Sequence, residues 1–251
     1  MFAPKFGIRV IIIPALTFFG LILLWEIVDA VFEVKKIIAP APHEIALAFV
    51  TEWRALFKAT GITMLESVLG FILGSLVAFM LAILFVYSST LRIAIYPYAV
   101  ALKSTPLIAI APLLILWFGN GLLSKIVMAA LVAFFPVLVN AVDGLTSVEK
   151  DALSLMRSLS ASQWQIFWKI RFPHSLPFIF SSLKIASSLA VVGAVIGEFT
   201  GSTSGIGHLI NTSSYYLDTD VMFAAILMIS SGGIIFFGIV SLAEKRIVFW
   251  R

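Results

Sequence analysis

Apolar residues run almost without interruption through six stretches of this 251-residue chain, at 10–28, 68–86, 93–118, 126–142, 178–196 and 221–243. An α-helix needs about 20 apolar residues to cross a hydrocarbon core. The pattern therefore predicts an all-α, polytopic membrane protein with six transmembrane helices and both termini on one side. Between the fourth and fifth stretches lies the one long polar segment of the second half, residues 146–177.

The local chemistry of that segment predicts folded structure. Thr146 followed by Glu149 fits a capping box, so a helix is expected to start near Ser147. Val148, Ala152, Leu155 and Leu159 follow at spacings of four, three and four, which aligns them on one helical face, and Leu153 and Met156 widen the stripe. Ser158, Ser160 and Ser162 interrupt it. Ser162 with Gln165 forms a second capping signature, opening a short helix over 163–169. Pro173 and Pro177, which lack the N–H a helix needs, are expected to close the segment.

The first apolar stretch follows Lys5 and Arg9 and could pass for a signal peptide. Trp25, Glu26 and Ile27 stand where small residues would mark cleavage, so a retained helix is expected. Pro40-Ala41-Pro42 should then start an amphipathic helix running to about Phe57, with Ile45, Phe49, Trp53 and Phe57 on one face. It is read as a brace along the membrane surface, with substrate contact as the alternative.

Composition agrees with a bilayer: 61% of residues are hydrophobic, 12% are charged and the mean hydropathy is +1.10. Charge sets the orientation. Lys5, Arg9, Arg92, Lys150, Arg157, Lys169, Arg171, Lys245, Arg246 and Arg251 fall on one side, against Lys35, Lys36, Arg54, Lys58 and Lys125 on the other. The richer side is expected to be cytoplasmic, carrying both termini and the polar segment. Such flanks account for the net charge of +4 without nucleic acid as a partner.

Within the spans, Gly70 and Gly74, then Gly193 and Gly197, form small-xxx-small pairs that predict close helix crossings. The third stretch holds Pro97, Pro106 and Pro112 with Lys103, which reads either as a kinked helix lining a cavity or as a bent structural helix with a snorkelling lysine. On the first reading the translocation path would be lined by Ser104, Thr105, Ile108 and Trp117. Lys184 lies seven residues past Pro177 and is expected to anchor at the cytoplasmic boundary. Glu198, before the glycine-rich 201–207, reads as an external gate or an anchor for that loop.

Evidence for catalysis is lacking. No G-x-x-x-x-G-K-[ST] phosphate loop occurs, His43, His174 and His208 are dispersed, and the absence of Cys removes thiolate sites, so neither a metal site nor a catalytic residue is assigned. Gly205-Ile206-Gly207 lacks the strand and third glycine of a dinucleotide loop and is expected to be a turn.

The polar segment resembles the cytoplasmic "EAA" loop of binding-protein-dependent ABC importer permeases. Pro173 lies thirteen residues after Ser160, the spacing of the signature's Gly and Leu-Pro, although Ser154, Leu155 and Met156 replace Glu-Ala-Ala and Ser160 replaces Gly. PLIAIAPLLILWFGNGLLSK at 106–125 and SSLKIASSLAVVGAVIGEFTGSTSGIGHLI at 181–210 are similar to stretches of the nitrate, sulfonate, taurine and thiamine-precursor branch. The likeness runs from about Pro40 to the C-terminus; Glu66 stands where the branch commonly has Arg.

The resemblance implies a type I ABC importer permease (MetI-like) fold in the bacterial inner membrane. Residues 1–60 would form an N-terminal transmembrane helix plus an external helix, and 61–251 a five-helix permease core with its coupling loop at about 144–176. It implies two ATP-binding cassette ATPase subunits that bind the ATP, a second copy of the chain, an extracytoplasmic solute-binding protein, and no cofactor on the chain itself. The residues coupling to the ATPase would be Ser154, Leu155, Met156, Arg157, Ser158, Leu159, Ser160, Ala161 and Pro173. Alternatives are an energy-independent channel, a secondary carrier or an intramembrane hydrolase. Few cations in the spans favour a neutral heterocycle such as a thiamine precursor over an anion.

Overall fold

Inside a bilayer no water is present to satisfy backbone N–H and C=O groups, so apolar stretches of this length must satisfy their own as helices. The computed structural model describes residues 9–103 and 105–250, and these contain helices and connecting turns with no strand. In order they are α1 (Arg9–Phe32), α2 (Pro42–Thr51), α3 (Trp53–Tyr87), α4 (Ser89–Lys103), α5 (Leu107–Phe118), α6 (Leu122–Thr146), α7 (Lys150–Ser158), α8 (Gln163–Ile166), α9 (Phe172–Phe199), α10 (Ile206–Tyr216) and α11 (Thr219–Ile247). A π turn, Phe167–Arg171, joins α8 to α9.

Among the described residues, five helices are long and apolar enough to cross a membrane: Ile12–Phe32, Trp53–Tyr87, Leu122–Thr146, Gln163–Phe199 and Thr219–Ile247. The third predicted span is present as two helices, α4 and α5, with Thr105 and Pro106 outside both. Pro106 sits at the N-cap of α5, where a missing N–H costs nothing, whereas Pro97 and Pro112 are tolerated inside α4 and α5. At 1.5 Å per residue α5 is about 18 Å long, too short to span alone, so the α4–α5 pair makes that crossing together. Ser104 and the side chain of Lys103 lie outside the described residues.

The centre of the bundle is α6, packed between α3 and α9. The glycine pairs explain why. A Cβ on Gly70 would strike Ala129, and one on Gly74 would strike the Ala130 backbone carbonyl. From the opposite side a Cβ on Gly193 would lie 2.8 Å from both Ala129 Cα and Val132 Cγ2, and one on Gly197 would lie 3.3 Å from Lys125 Cα. Both predicted crossings thus fall on the same stretch of α6. Ala78, Ala82, Ala129, Ala133, Ala186 and Ala190 fill the adjoining core with small side chains that keep the backbones close.

Two expectations for the external segment change. Pro42 does occupy the first turn of α2, and Glu44 Oε2 accepts the Ala41 N–H at 3.0 Å, but the helix ends at Thr51 rather than near Phe57. The chain bends at Glu52 and Trp53 opens α3. Consequently Ile45 is buried and Phe49 half-buried against α11 and its neighbours, while Trp53 and Phe57 are exposed on a different helix. The turn before α2 is held to α11: Lys36 pairs with Asp220 at 2.9 Å and the Thr219 hydroxyl donates to the Lys36 carbonyl. The hydrogen bond that the Lys36 ammonium donates to Asp220 raises its pKa above the usual range. None of the apolar window of α1 is buried. It touches the rest through Trp25 against Phe223 and Glu26 against His43.

Candidate functional site

The polar segment folds as a helical pair on one end of the bundle. Its start differs from the Thr146–Glu149 expectation. Helix α6 continues through Thr146, whose hydroxyl donates back to the Val142 carbonyl at 2.7 Å, so Thr146 is the last residue of one helix and not the cap of the next. The next helix, α7, begins at Lys150 with Glu149 at its N-cap and no side-chain cap. Arg171 Nη1 satisfies the Leu145 carbonyl at 2.7 Å near the end of α6, and Ser147 Oγ lies 3.2 Å from His174 Nε2. The segment's two ends are thereby held to each other.

The far end of α7 is a Schellman closure. Ala161 N–H donates to the Met156 carbonyl at 3.0 Å and Ser160 N–H to the Arg157 carbonyl at 2.9 Å. That arrangement places Ser160 in the left-handed region, φ +55°. A glycine would adopt it without the Cβ penalty, which gives a physical reason for glycine at this position of the signature. Immediately afterwards the Ser162–Gln165 capping box forms as expected: Gln165 Oε1 accepts the Ser162 N–H at 2.8 Å and Ser162 Oγ accepts the Gln165 N–H at 3.3 Å.

The prolines do not close the segment. The chain continues helically from Gln163 to Phe199, with Pro173 in the first turn of α9 and Pro177 inside it. The π turn immediately before Pro173 widens the helix there and absorbs the misfit, the Phe172 N–H reaching back to the Phe167 carbonyl. An aromatic cluster of Trp164, Phe167, Trp168 and Phe172 braces this turn, Trp168 and Phe172 lying 5.0 Å apart.

The expected apolar stripe divides. Val148 is buried before α7 begins, and Ala152, Leu153 and Met156 are half-buried. Leu155 and Leu159 are 62% and 69% exposed, with Ser154, Arg157, Ser158 and Ser160 exposed around them. Pro173 stands apart from this face, half-buried at the head of α9. A short helix with two leucines facing outward, held rigidly at both ends, is a surface shaped for contact.

Of the residues assigned to a path, Ser104 lies outside the described residues. Thr105, just before α5, and Ile108 and Trp117, on opposite flanks of α5, are all exposed, while Ala111 and Leu114 of α5 pack against Met128 of α6.

At the other end of the bundle Glu198 is buried, 1% exposed. Its Oε1 accepts the Thr63 hydroxyl at 2.6 Å and its Oε2 accepts the Gly207 N–H at 2.5 Å, while Thr63 Oγ1 accepts the Ile206 N–H at 2.8 Å. Residues 205–207 are therefore the N-terminus of α10, not a turn, with two orphan N–H groups capped from neighbouring helices. Gly205, at φ +95°, leaves the space that the Glu198 carboxylate occupies.

Lys125 was assigned to the outer boundary, yet it is 1% exposed. Its ammonium donates to the Asn120 carbonyl at 2.6 Å and to Asn120 Oδ1 at 3.0 Å, and its field reaches both Glu66 and Glu198. The Asn120 amide in turn donates to the Gly201 carbonyl. Glu66 is buried beside Glu198, with its Oε2 unpartnered. Thr63, Asn120 and Lys125 were not singled out as site residues; the only sequence signal was Thr63 and Glu66 three apart on one helix face. Lys184 likewise does not simply reach the boundary but donates to Glu244 Oε2 at 2.5 Å, tying α9 to α11.

A bundle of membrane helices closely packed through small residues, with a rigid helical pair protruding at one end, is the architecture of a transporter permease. The chain belongs to the family described as "Binding-protein-dependent transport system inner membrane component", whose pattern matches residues 43–249. It is 36% identical over 218 residues to a "Probable ABC transporter permease protein" of Haemophilus influenzae, covering 87% of this chain and 89% of that one. It is 31% identical over 239 residues to the "Formylaminopyrimidine transport permease protein ThiX" of Halalkalibacterium halodurans, covering 95% of each. Its fold is similar to that of a chain in inward-facing MetNI methionine ABC transporter, with a TM-score of 0.60, 19% identity, and coverage of 78% of this chain and 93% of that one.

The chain is thus a multi-pass inner-membrane permease subunit of an ABC importer with a MetI-like fold, in the nitrate, sulfonate, taurine and thiamine-precursor branch, and not an enzyme. The channel, secondary-carrier and hydrolase alternatives are set aside. Membership implies an ATPase and a solute-binding protein as partners.

Proposed function

We propose that two copies of this chain form the translocation unit, joined to two ATPase subunits that bind the ATP, with both termini and the α7–α8 pair in the cytoplasm. The observation that carries this reading is the pair Leu155 and Leu159, exposed on a helix closed by a Schellman turn and followed at once by a capping box. A rigid apolar projection can transmit an ATPase movement into the bundle; a slack loop cannot. In alternating access, ATP closes the ATPase pair, residues 154–161 carry the displacement to α6 and α9, and the helices reopen outward to accept solute from the binding protein.

Glu198 serves this cycle as the anchor of α10 rather than as a gate. The path runs along α5, past Thr105, Ile108 and Trp117. The solute is a neutral heterocycle of the thiamine-precursor kind, a reading supported by the similarity to ThiX and by the scarcity of cations in the spans. The test is Leu155→Asp with Leu159→Asp in the assembled transporter. Insertion should persist while uptake and substrate-stimulated ATP hydrolysis fall at least tenfold. Undiminished coupling in the double variant would overturn the docking role.

A further inference from the structure

On its outer half, the seam between α6 and α9 is covered by α5, where Ala111 and Leu114 pack with Met128 and Ile196 borders the cluster. Ser181 lies on the same face of α9 as Ile196, four turns nearer the cytoplasm, beyond the end of α5. There the seam opens into a pocket of about 230 Å³ lined by Asn140, Pro177, Phe178 and Ser181. An asparagine at membrane depth is costly unless it meets protein, water or a solute. Asn140 Nδ2 is fixed by the Pro136 carbonyl at 2.8 Å, which leaves Oδ1 as an oriented acceptor. Neither Oδ1 nor the Ser181 hydroxyl has a partner among the described residues.

We propose that this pocket is a recognition step on the translocation path for an uncharged, planar solute with hydrogen-bonding edges. Asn140 and Ser181 supply the polar contacts and Phe178 the stacking face. The proposal rests on the permease reading and adds a site to it. Pocket size agrees, because drug-sized ligands take roughly 300–1,000 Å³ and a single ring takes less. Charge agrees too. No cation lines the pocket: Asp143 stands one turn further along α6, Lys184, one turn from Ser181 on α9, is held by Glu244, and the His174 ring packs 5.9 Å from Phe178, so a sulfonate would enter without a free lysine or arginine as counter-charge. An aminopyrimidine offers ring edges for an amide and a hydroxyl and a face for Phe178.

The experiment uses the complete transporter, with ATPase and binding protein, in proteoliposomes and formylaminopyrimidine as the probe. Asn140→Leu should lower uptake about tenfold, the cost of one buried hydrogen bond, with Asn140→Ser intermediate. Ser181→Cys, in this cysteine-free chain, should react with a membrane-impermeant thiol reagent in one nucleotide state and be protected by the probe. Wild-type uptake by Asn140→Leu overturns the proposal. So does a Ser181→Cys variant that stays unlabelled in every state, or that only cross-links to a second copy, because the face would then be a permanent dimer contact. If Asn140→Leu does not insert, Ser181→Ala and the labelling decide. Wild-type transporter that couples ATP hydrolysis to import of another solute, but not of the probe, overturns the solute class alone; absence of ATP-driven import of any solute would instead remove the permease reading.

Discussion

The hydroxyl of Thr63 and the carboxylate of Glu198, 135 residues apart in the chain, meet at 2.6 Å in a site closed to solvent and together cap the first turn of α10. This relationship joins α3, α9 and α10, and through Lys125 and Asn120 it extends to the turn between α5 and α6. Thr63→Val should lower stability by about 1–3 kcal/mol, because it strands the Ile206 N–H and removes a donor from a buried carboxylate. Melting in detergent measures this; an unchanged midpoint would show that the cap is redundant.

Among the described residues, Lys125 is the one cation whose field falls on both Glu66 and Glu198. Lys125→Met should destabilise by about 1–3 kcal/mol, because it strands the two Asn120 oxygens that the ammonium satisfies and leaves the buried acids without its charge. Adding Glu66→Gln removes one of the two acids and should recover part of that loss. Additive losses in the double variant would refute the charge balance.

Gly74 and Gly197 no longer carry equal expectations. A side chain at Gly74 meets the Ala130 backbone, which cannot swing aside, whereas one at Gly197 meets Lys125 at 3.3 Å. Gly74→Leu should cost more than Gly197→Leu, with overpacking of about 1–3 kcal/mol as the lower bound for Gly74. Wild-type melting temperatures and uptake in both variants would place these glycines away from helix contacts.

Ser160 holds a left-handed conformation that costs a non-glycine residue roughly 1–2 kcal/mol. Ser160→Gly should leave coupling intact and protect the α7 amides more strongly against hydrogen exchange, and Ser160→Val should do the reverse. Identical exchange in the two variants would mean that the Schellman turn does not limit the loop.

For the path along α5, single cysteines at Ser104, Thr105, Ile108 and Trp117 should include positions that react with a membrane-impermeant thiol reagent from the aqueous phase. Failure to label all four, with and without ATP, would reject that lining.

The membrane character, the crossings near Gly70–Gly74 and Gly193–Gly197 and the Ser162–Gln165 cap were legible because each depends on residues close in sequence or on composition. A capping box needs four residues, and a small-xxx-small pair needs five. The Thr146 cap was misread for a related reason: the motif is local, but whether α6 has already ended there depends on Arg171 satisfying the Leu145 carbonyl from the far end of the loop. Pro173 and Pro177 looked like stops because a regular helix cannot absorb them, and only the π turn before Pro173 allows the helix to continue.

Hydropathy and spacing determined by themselves that this chain is a helical membrane protein with a structured polar loop, since the bilayer admits so few ways to satisfy a backbone. The tertiary structure alone decided that Glu198 is buried against Thr63 and Gly207 rather than exposed, that Lys125 is buried, and that Asn140 and Ser181 share a pocket. Those facts depend on helices far apart in the chain being brought side by side, and burial or a missing partner is a property of that juxtaposition rather than of any residue's neighbours in sequence.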